Sequence, residues 1–274
     1  MSTSRRRLAI LGTGNIGSAI ARGLVGARLF APAEISLTRR SLTALEEFRD
    51  AGFLVGTDNA AATAGADIII LAVTPQQLNG LLHEIKGVVD RARHTLVSVV
   101  SGASISAIRS GVESEVPIIR VMPNTAIAIR ESMTCIAGGD APAERVQEVC
   151  RLFDSLGRTL VIDEAHMIPA TALCACGIAF FLRAIRAASQ GGIEIGFHAE
   201  DALLMAAQTA RGAATLLAEA GSHPESEVDK VTTPQGCTIS GLNQMEHHGF
   251  SSALIRGIVT SAEKAAVLYS PKGA

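Results

Sequence analysis

Through the first 163 residues, short unbroken apolar runs alternate with stretches whose apolar residues recur every three or four positions. The runs cover residues 8–11, 35–37, 68–73, 96–100, 118–121, 133–137 and 159–162. They are rich in Ile, Val and Leu, and most lack polar alternation. That pattern predicts strands covered on both faces by helices. Between them, residues 42–49, 76–89 and 144–156 have the spacing of amphipathic helices. Strand and helix in alternation predict an α/β, doubly wound parallel sheet of the Rossmann type over residues 1–163.

Beyond Asp163 the period changes. Leu203, Ala207, Ala210, Ala214 and Leu217 lie one helical turn apart, as do Ile255, Val259, Ala262, Ala266 and Tyr269. Gly221, followed by His223-Pro224, predicts a helix end, and Gly249 with Ser251 and Ser252 predicts a second end and a fresh N-cap. Residues 164–274 therefore read as an all-helical C-terminal domain. Its stripes are rich in Ala, which allows close approach between helices. So much apolar helix is better buried against a second subunit than alone, so a homodimer through this half is expected.

Composition narrows the partners. The chain has 274 residues, 48% of them hydrophobic and 18% charged, with a formal net charge of −2. Neither nucleic acid nor a membrane surface is favoured by that balance. With no Trp and one Tyr, stacking platforms for single strands are scarce. Arg5-Arg6-Arg7 precedes only four apolar residues before Gly12, too few for a signal peptide core. Arg183 and Arg186 interrupt the longest apolar candidate, leaving no uninterrupted window of about 18 residues for a membrane span. Five cysteines, an odd number, suit reduced thiols and a cytoplasmic location. Cys174 and Cys176 read as small packing residues. His247-His248 reads as exposed residues near a helix end, so no metal is expected.

The first candidate site follows the first strand as Gly12-Thr13-Gly14-Asn15-Ile16-Gly17. Gly12 permits a tight turn, Gly14 lets the backbone approach a pyrophosphate, and Gly17 allows close packing of helix on strand. The amides of the following helix then face the phosphates of a dinucleotide. An acidic residue about 20 positions later would bond a ribose 2′-hydroxyl. This chain has instead Thr38-Arg39-Arg40-Ser41, whose guanidinium and hydroxyl groups suit a 2′-phosphate. NADPH is the expected cofactor, with NADH as the alternative. Asn59, beyond the third predicted crossover segment, and Ala72-Val73-Thr74-Pro75, at the end of the strongest strand, are expected to line the same crevice.

Two later segments are more specific. They are Arg120-Val121-Met122-Pro123-Asn124-Thr125-Ala126 and the stretch from His223-Pro224 through Thr233-Pro234-Gln235-Gly236-Cys237-Thr238 to Leu242. With Gln208-Thr209-Ala210-Arg211-Gly212 between them, the chain closely resembles the pyrroline-5-carboxylate reductase family over essentially its whole length. The resemblance implies NAD(P)H-dependent reduction of a cyclic imine acid to L-proline, the last step of proline biosynthesis. It also implies a C-terminal dimerisation domain, with dimers assembled into larger rings. Thr238 matches the family's active-site threonine, which bonds the imine nitrogen, and Asn124 falls beside nicotinamide and substrate. Thr233, Gly236 and Cys237 then belong to the substrate site with Thr238, at a helix start suited to a carboxylate. Cys176 joins them by position.

The chain departs from the family in three places. Many members carry Ser-Gly-Ser-Gly-Pro-Ala-Tyr where this chain has Cys174-Ala175-Cys176-Gly177-Ile178-Ala179-Phe180. A usual Gly-Gly is here Gln235-Gly236, and a frequent Lys before the proline is Thr74. Two alternatives stay open: a reductase of another cyclic imine or a hydroxy acid, and a nucleotide-sensing protein on the same fold. Against a hydroxy-acid enzyme, residues 174–189 hold Arg183 and Arg186 but no Lys.

Overall fold

The computed structural model describes residues 6–269. Of these, 6–176 together with 261–269 form one compact unit, and 177–260 form a second. The first unit runs β1 (Leu8–Leu11), α1 (Asn15–Gly26), β2 (Ile35–Thr38), α2 (Glu46–Asp50), β3 (Leu54–Gly56), α3 (Asn59–Ala64) and β4 (Ile68–Leu71). It continues with α4 (Pro75–Ile85), β5 (Thr95–Ser98), α5 (Ile105–Val112), β6 (Ile118–Met122), β7 (Ser132–Ala137), α6 (Ala143–Asp154), β8 (Gly157–Val161) and α7 (Met167–Ala170). A π-helical turn, Thr171–Cys176, follows α7.

The eight strands form one sheet in the order β3-β2-β1-β4-β5-β6-β7-β8. The strand order reverses between β1 and β4, the place where such sheets bind ligands. All four residues of β1 and of β4 are buried. Their alternate side chains serve opposite faces: Leu8, Ile10, Ile68 and Ile70 enter one apolar cluster, with α1 and α6. Ala9, Leu11, Ile69 and Leu71 enter the other, with α4 and α5. This two-sided burial is why the runs carry no polar alternation.

Two features depart from the sequence pattern. Residues 54–56 add an edge strand, β3, which the pattern did not predict; Leu54 is exposed there and the run is short. The sheet is also not wholly parallel, because β7 pairs antiparallel to β6. The connection 123–131 holds only a short 3-10 helix, Thr125–Ile129, and a parallel return needs about a dozen residues or more.

The second unit is helical. It comprises α8 (Gly177–Glu194), α9 (Ala199–Ala220), α10 (Pro224–Val231), α11 (Cys237–His247) and most of α12 (Phe250–Ala266). Gly221 ends α9 in the left-handed conformation, as its sequence position predicts. Gly249 also has positive φ, but α12 begins at Phe250, so Ser251 and Ser252 lie inside its first turn rather than capping it. Among the described residues of this unit only Gly177, Ser189 and Ala202 are buried, while Phe181, Leu182, Leu204, Leu216 and Ile255 are exposed. The helical run Glu164–Glu194 is long and apolar enough, by length and composition alone, to cross a membrane; Arg183 and Arg186 punctuate it.

Candidate active site

A crevice of about 650 Å³ opens at the carboxyl ends of β1 to β4. Gly12, Thr13, Gly14, Arg39, Arg40, Ser41, Asn59, Ala72, Val73 and Thr74 all line it. Gly12 turns the chain at φ +92, and a Cβ there would lie 2.5 Å from the Val73 side chain and 2.9 Å from the Ala72 oxygen. The turn is tied to β2, since Gly12 and Thr13 donate their N–H groups to the Thr38 oxygen at 3.2 and 2.9 Å. At Gly14 a Cβ would meet nothing within 4 Å, so this stretch of backbone is open to a ligand. The Thr13 hydroxyl is buried with no hydrogen-bond partner among the described residues. An open glycine and an orphaned hydroxyl at a helix start fit a dinucleotide pyrophosphate.

Asn15, Ile16 and Gly17 form the first turn of α1 and do not line the crevice. Gly17 is buried, and a Cβ there would lie 2.9 Å from the Gly12 oxygen, so it serves helix-on-strand packing. Pro75 is likewise outside the lining, as the first residue of α4. Thr74 caps that helix through reciprocal contacts with Gln77. Arg39 and Arg40 are exposed, and neither guanidinium has a carboxylate partner among the described residues.

The tertiary fold adds a wall that local sequence order did not reveal. Gln76, Gln77, Asn79, Gly80 and Glu84 of α4 face the same crevice. Thr38 Oγ1 donates to Asn59 Oδ1 at 2.6 Å, and Asn59 Nδ2 donates to Glu84 Oε2 at 2.6 Å. Asn59 is therefore held between β2 and α4. The helical spacing of residues 76–89 marks a helix, yet which polar face meets the crevice depends on how α4 docks on the sheet.

A second cluster lies past β6. Asn124 caps the 3-10 helix by accepting from Ala126 N–H at 3.0 Å, and its Nδ2 donates to the Cys174 carbonyl at 3.4 Å. Asn124 and the π-helical turn with Cys174 and Cys176 thus belong together. The Cys174 side chain packs on a cluster containing Met122 and Cys135. The neighbouring Cys135 thiol lowers the Cys174 thiol to about 7, while Cys174 and burial push Cys135 up.

In the helical unit, Thr233–Gly236 is a tight turn closed by Gly236 N–H to the Thr233 oxygen at 2.9 Å. A Cβ at Gly236 would lie 2.5 Å from Thr233 Oγ1, so only glycine fits. Gly236 caps α11 without any side chain bonding its first amides. Cys237 and Thr238 open the helix and are exposed, with the Thr238 hydroxyl unpartnered among the described residues. Free amides and a free hydroxyl at a helix start can hold a carboxylate and an adjacent nitrogen. His247 and His248 are exposed at the other end of α11, their rings 5.3 Å apart.

A family model described as pyrroline-5-carboxylate reductase dimerisation matches residues 164–268. Another, described as NADP oxidoreductase coenzyme F420-dependent, matches residues 7–102. Pyrroline-5-carboxylate reductase 2 of Dictyostelium discoideum is 48% identical, over 95% of this chain and 92% of that protein. The chain belongs to the pyrroline-5-carboxylate reductase family. Pyrroline-5-carboxylate reductase 1 of the same organism is 54% identical over 97% of the chain, which spans 50% of that relative's length. The solved 1-pyrroline-5-carboxylate reductase of Streptococcus pyogenes superposes with a TM-score of 0.86 at 26% identity, covering 96% of this chain and 99% of that one. The fold is also that of Plasmodium falciparum pyrroline carboxylate reductase with NADP bound, at TM-score 0.88, 24% identity and coverage of 97% and 98%.

Within this reductase family, the substitution of glycine by Gln235 now has a geometry. Gln235 has φ +57, the left-handed conformation of a turn's third residue after Pro234. The chain keeps the turn a glycine would adopt and accepts strain to do so. Thr74 in place of Lys leaves α4 with a capping hydroxyl and removes a cation from the crevice rim. Where the family's serines stand, Cys174 packs on the apolar cluster that holds Cys135, in keeping with its reading as a small packing residue.

Proposed function

We propose that this protein reduces 1-pyrroline-5-carboxylate to L-proline with NADPH, as a cytoplasmic homodimer or ring of dimers. The observation that carries the reading is the crevice, where an open glycine turn meets two guanidinium groups without carboxylate partners among the described residues, on a chain of reductase ancestry. Residues 1–163 hold the dinucleotide, and 164–274 hold the substrate and the subunit contact. Gly12, Thr13 and Gly14 cradle the pyrophosphate, and Asn15, Ile16 and Gly17 form the helix start behind them. Arg39, Arg40 and Ser41 take the 2′-phosphate by charge-assisted bonds, and Asn59 with residues 72–74 completes the wall.

Bound NADPH supplies the hydride that reduces the imine carbon. The rest is binding and proton handling by this chain. The free amides at the start of α11, around Gly236 and Cys237, bind the substrate carboxylate. Thr238 Oγ1 bonds the imine nitrogen and relays a proton to it from solvent. Asn124, Cys176 and Thr233 line the substrate. Orientation and removal of water contribute the remaining rate enhancement.

The nearly unburied helical unit and the dimerisation-family match over residues 164–268 support the dimer. The test is NADPH oxidation by the purified protein with pyrroline-5-carboxylate, repeated with NADH and with piperideine carboxylate. Turnover is expected with the first pair, and Thr238→Ala lowers kcat. No turnover with any imine acid refutes the reading, and an unchanged Thr238→Ala rate refutes the residue's role. Light scattering that gives a monomer refutes the assembly.

A further inference from the structure

Tyr269, the one tyrosine in the chain, lies past α12 in the segment that belongs to the same compact unit as the sheet. Its hydroxyl donates to Asn79 Oδ1 at 2.7 Å. Asn79 is on α4 and lines the dinucleotide crevice. The body of Tyr269 packs on the apolar cluster between the sheet and α4 and α5. It also rests on the loop after β5: a Cβ at Gly102, where φ is +83, would lie 3.2 Å from both Tyr269 Cβ and Tyr269 N. Burial raises the phenol's pKa, so the group stays a neutral donor.

An asparagine amide has an accepting end and a donating end, and one bond decides which way it faces. Tyr269 occupies the Asn79 oxygen. The Nδ2 group is then the end left over, and no residue among those described accepts from it. Asn79 is a half-buried residue of the crevice wall, and with its oxygen held by Tyr269 its N–H groups are what it has left to offer a ligand there. Dinucleotides offer oxygens at phosphate, ribose and carboxamide, all acceptors.

We propose that Tyr269 is a positioning residue for the dinucleotide: it fixes Asn79 with its amide N–H toward the crevice and braces the Gly102 loop at the end of β5. The inference rests on the reading of the crevice as the NADPH site. The experiment is a fluorescence titration of NADPH into wild type, Tyr269→Phe, Asn79→Ala and the double variant, with steady-state kinetics alongside. Tyr269→Phe keeps the ring and its packing and removes only the hydrogen bond. It is expected to weaken NADPH binding by about three- to tenfold, the worth of one neutral hydrogen bond. KM for NADPH rises by the same factor while kcat at saturation changes little. Asn79→Ala has a similar effect, and the double variant is no weaker than Asn79→Ala alone. Wild type that binds NADPH beside an unaltered Tyr269→Phe, or effects that add in the double variant, overturns this inference alone. Wild type that binds no NADPH overturns the reading of the crevice and this inference with it.

Discussion

Arg120 and Glu164 form an ion pair with a buried arginine and a half-buried carboxylate: Arg120 Nη1 donates to Glu164 Oε1 at 3.1 Å, and the arginine side chain is 5% exposed. The same carboxylate oxygen accepts the Ile105 N–H at 2.7 Å, so Glu164 ties β6 to the first residue of α5. Burial lowers the Arg120 pKa more than Glu164 restores it, and Arg120 Nε and Nη2 have no partner among the described residues. Arg120 sits on β6, the strand that leads into Asn124. Glu164→Ala leaves a guanidinium buried without its counter-ion and should destabilise the fold by about 3 kcal/mol. Denaturant unfolding monitored by circular dichroism measures this.

Arg39 and Arg40 have no competing carboxylates among the described residues, so their charge is available to a ligand. Replacing both with Ala should raise KM for NADPH by at least about tenfold, from the loss of charge-assisted phosphate bonds. KM for NADH should move little. An equal shift for both cofactors would show that the arginines do not read the 2′-phosphate.

Gln235→Gly should stabilise the protein. Glycine relieves the left-handed strain at φ +57 but enlarges the unfolded ensemble, leaving a net gain of about 0.5 kcal/mol. Thermal melting of the two proteins in parallel detects it as a small rise in Tm.

Cys174 carries a thiol lowered to about 7 by the neighbouring Cys135 thiol. Its thiolate therefore forms near neutral pH, while the Cys135 thiol remains protonated. Alkylation by iodoacetamide, mapped by mass spectrometry, should mark Cys174 before Cys135, with a rate that climbs through pH 7. Cys135→Ala removes the neighbouring thiol and should move that profile upward, toward the ordinary thiol range of about 8.5.

His94 is buried, and burial, reinforced by Arg93, lowers its imidazole pKa. Its Nδ1 accepts the Asp90 N–H at 3.0 Å, which holds the neutral form. The folded state therefore binds a proton here less readily than the unfolded chain. The neutral ring's contribution is fully present above about pH 6.5 and is lost as pH falls toward the lowered folded value. His94→Gln should flatten the fall in stability below pH 6.5, as read from denaturation midpoints across pH.

The strands β1, β4, β5 and β6 were legible in sequence because burial on both faces demands unbroken apolar runs, and that demand is local. The glycine turn and the Arg39-Arg40 pair were legible for the same reason: each lies within a few residues of a strand end. The helical periods of the second half were equally local, and they left an apolar surface that calls for a partner. Four things were settled only by the tertiary structure. The antiparallel sense of β7 follows from how little chain separates it from β6. The docking of α4 brings Glu84 and Asn79 to a crevice whose turn lies far upstream. The segment after α12 returns to the sheet, setting Tyr269 against an asparagine 190 positions away. Cys174 meets Cys135 only because the π-helical turn packs on β7. Periodicity reports which face of an element is buried; which element it is buried against depends on contacts distant in sequence, and those are set when the whole sheet assembles.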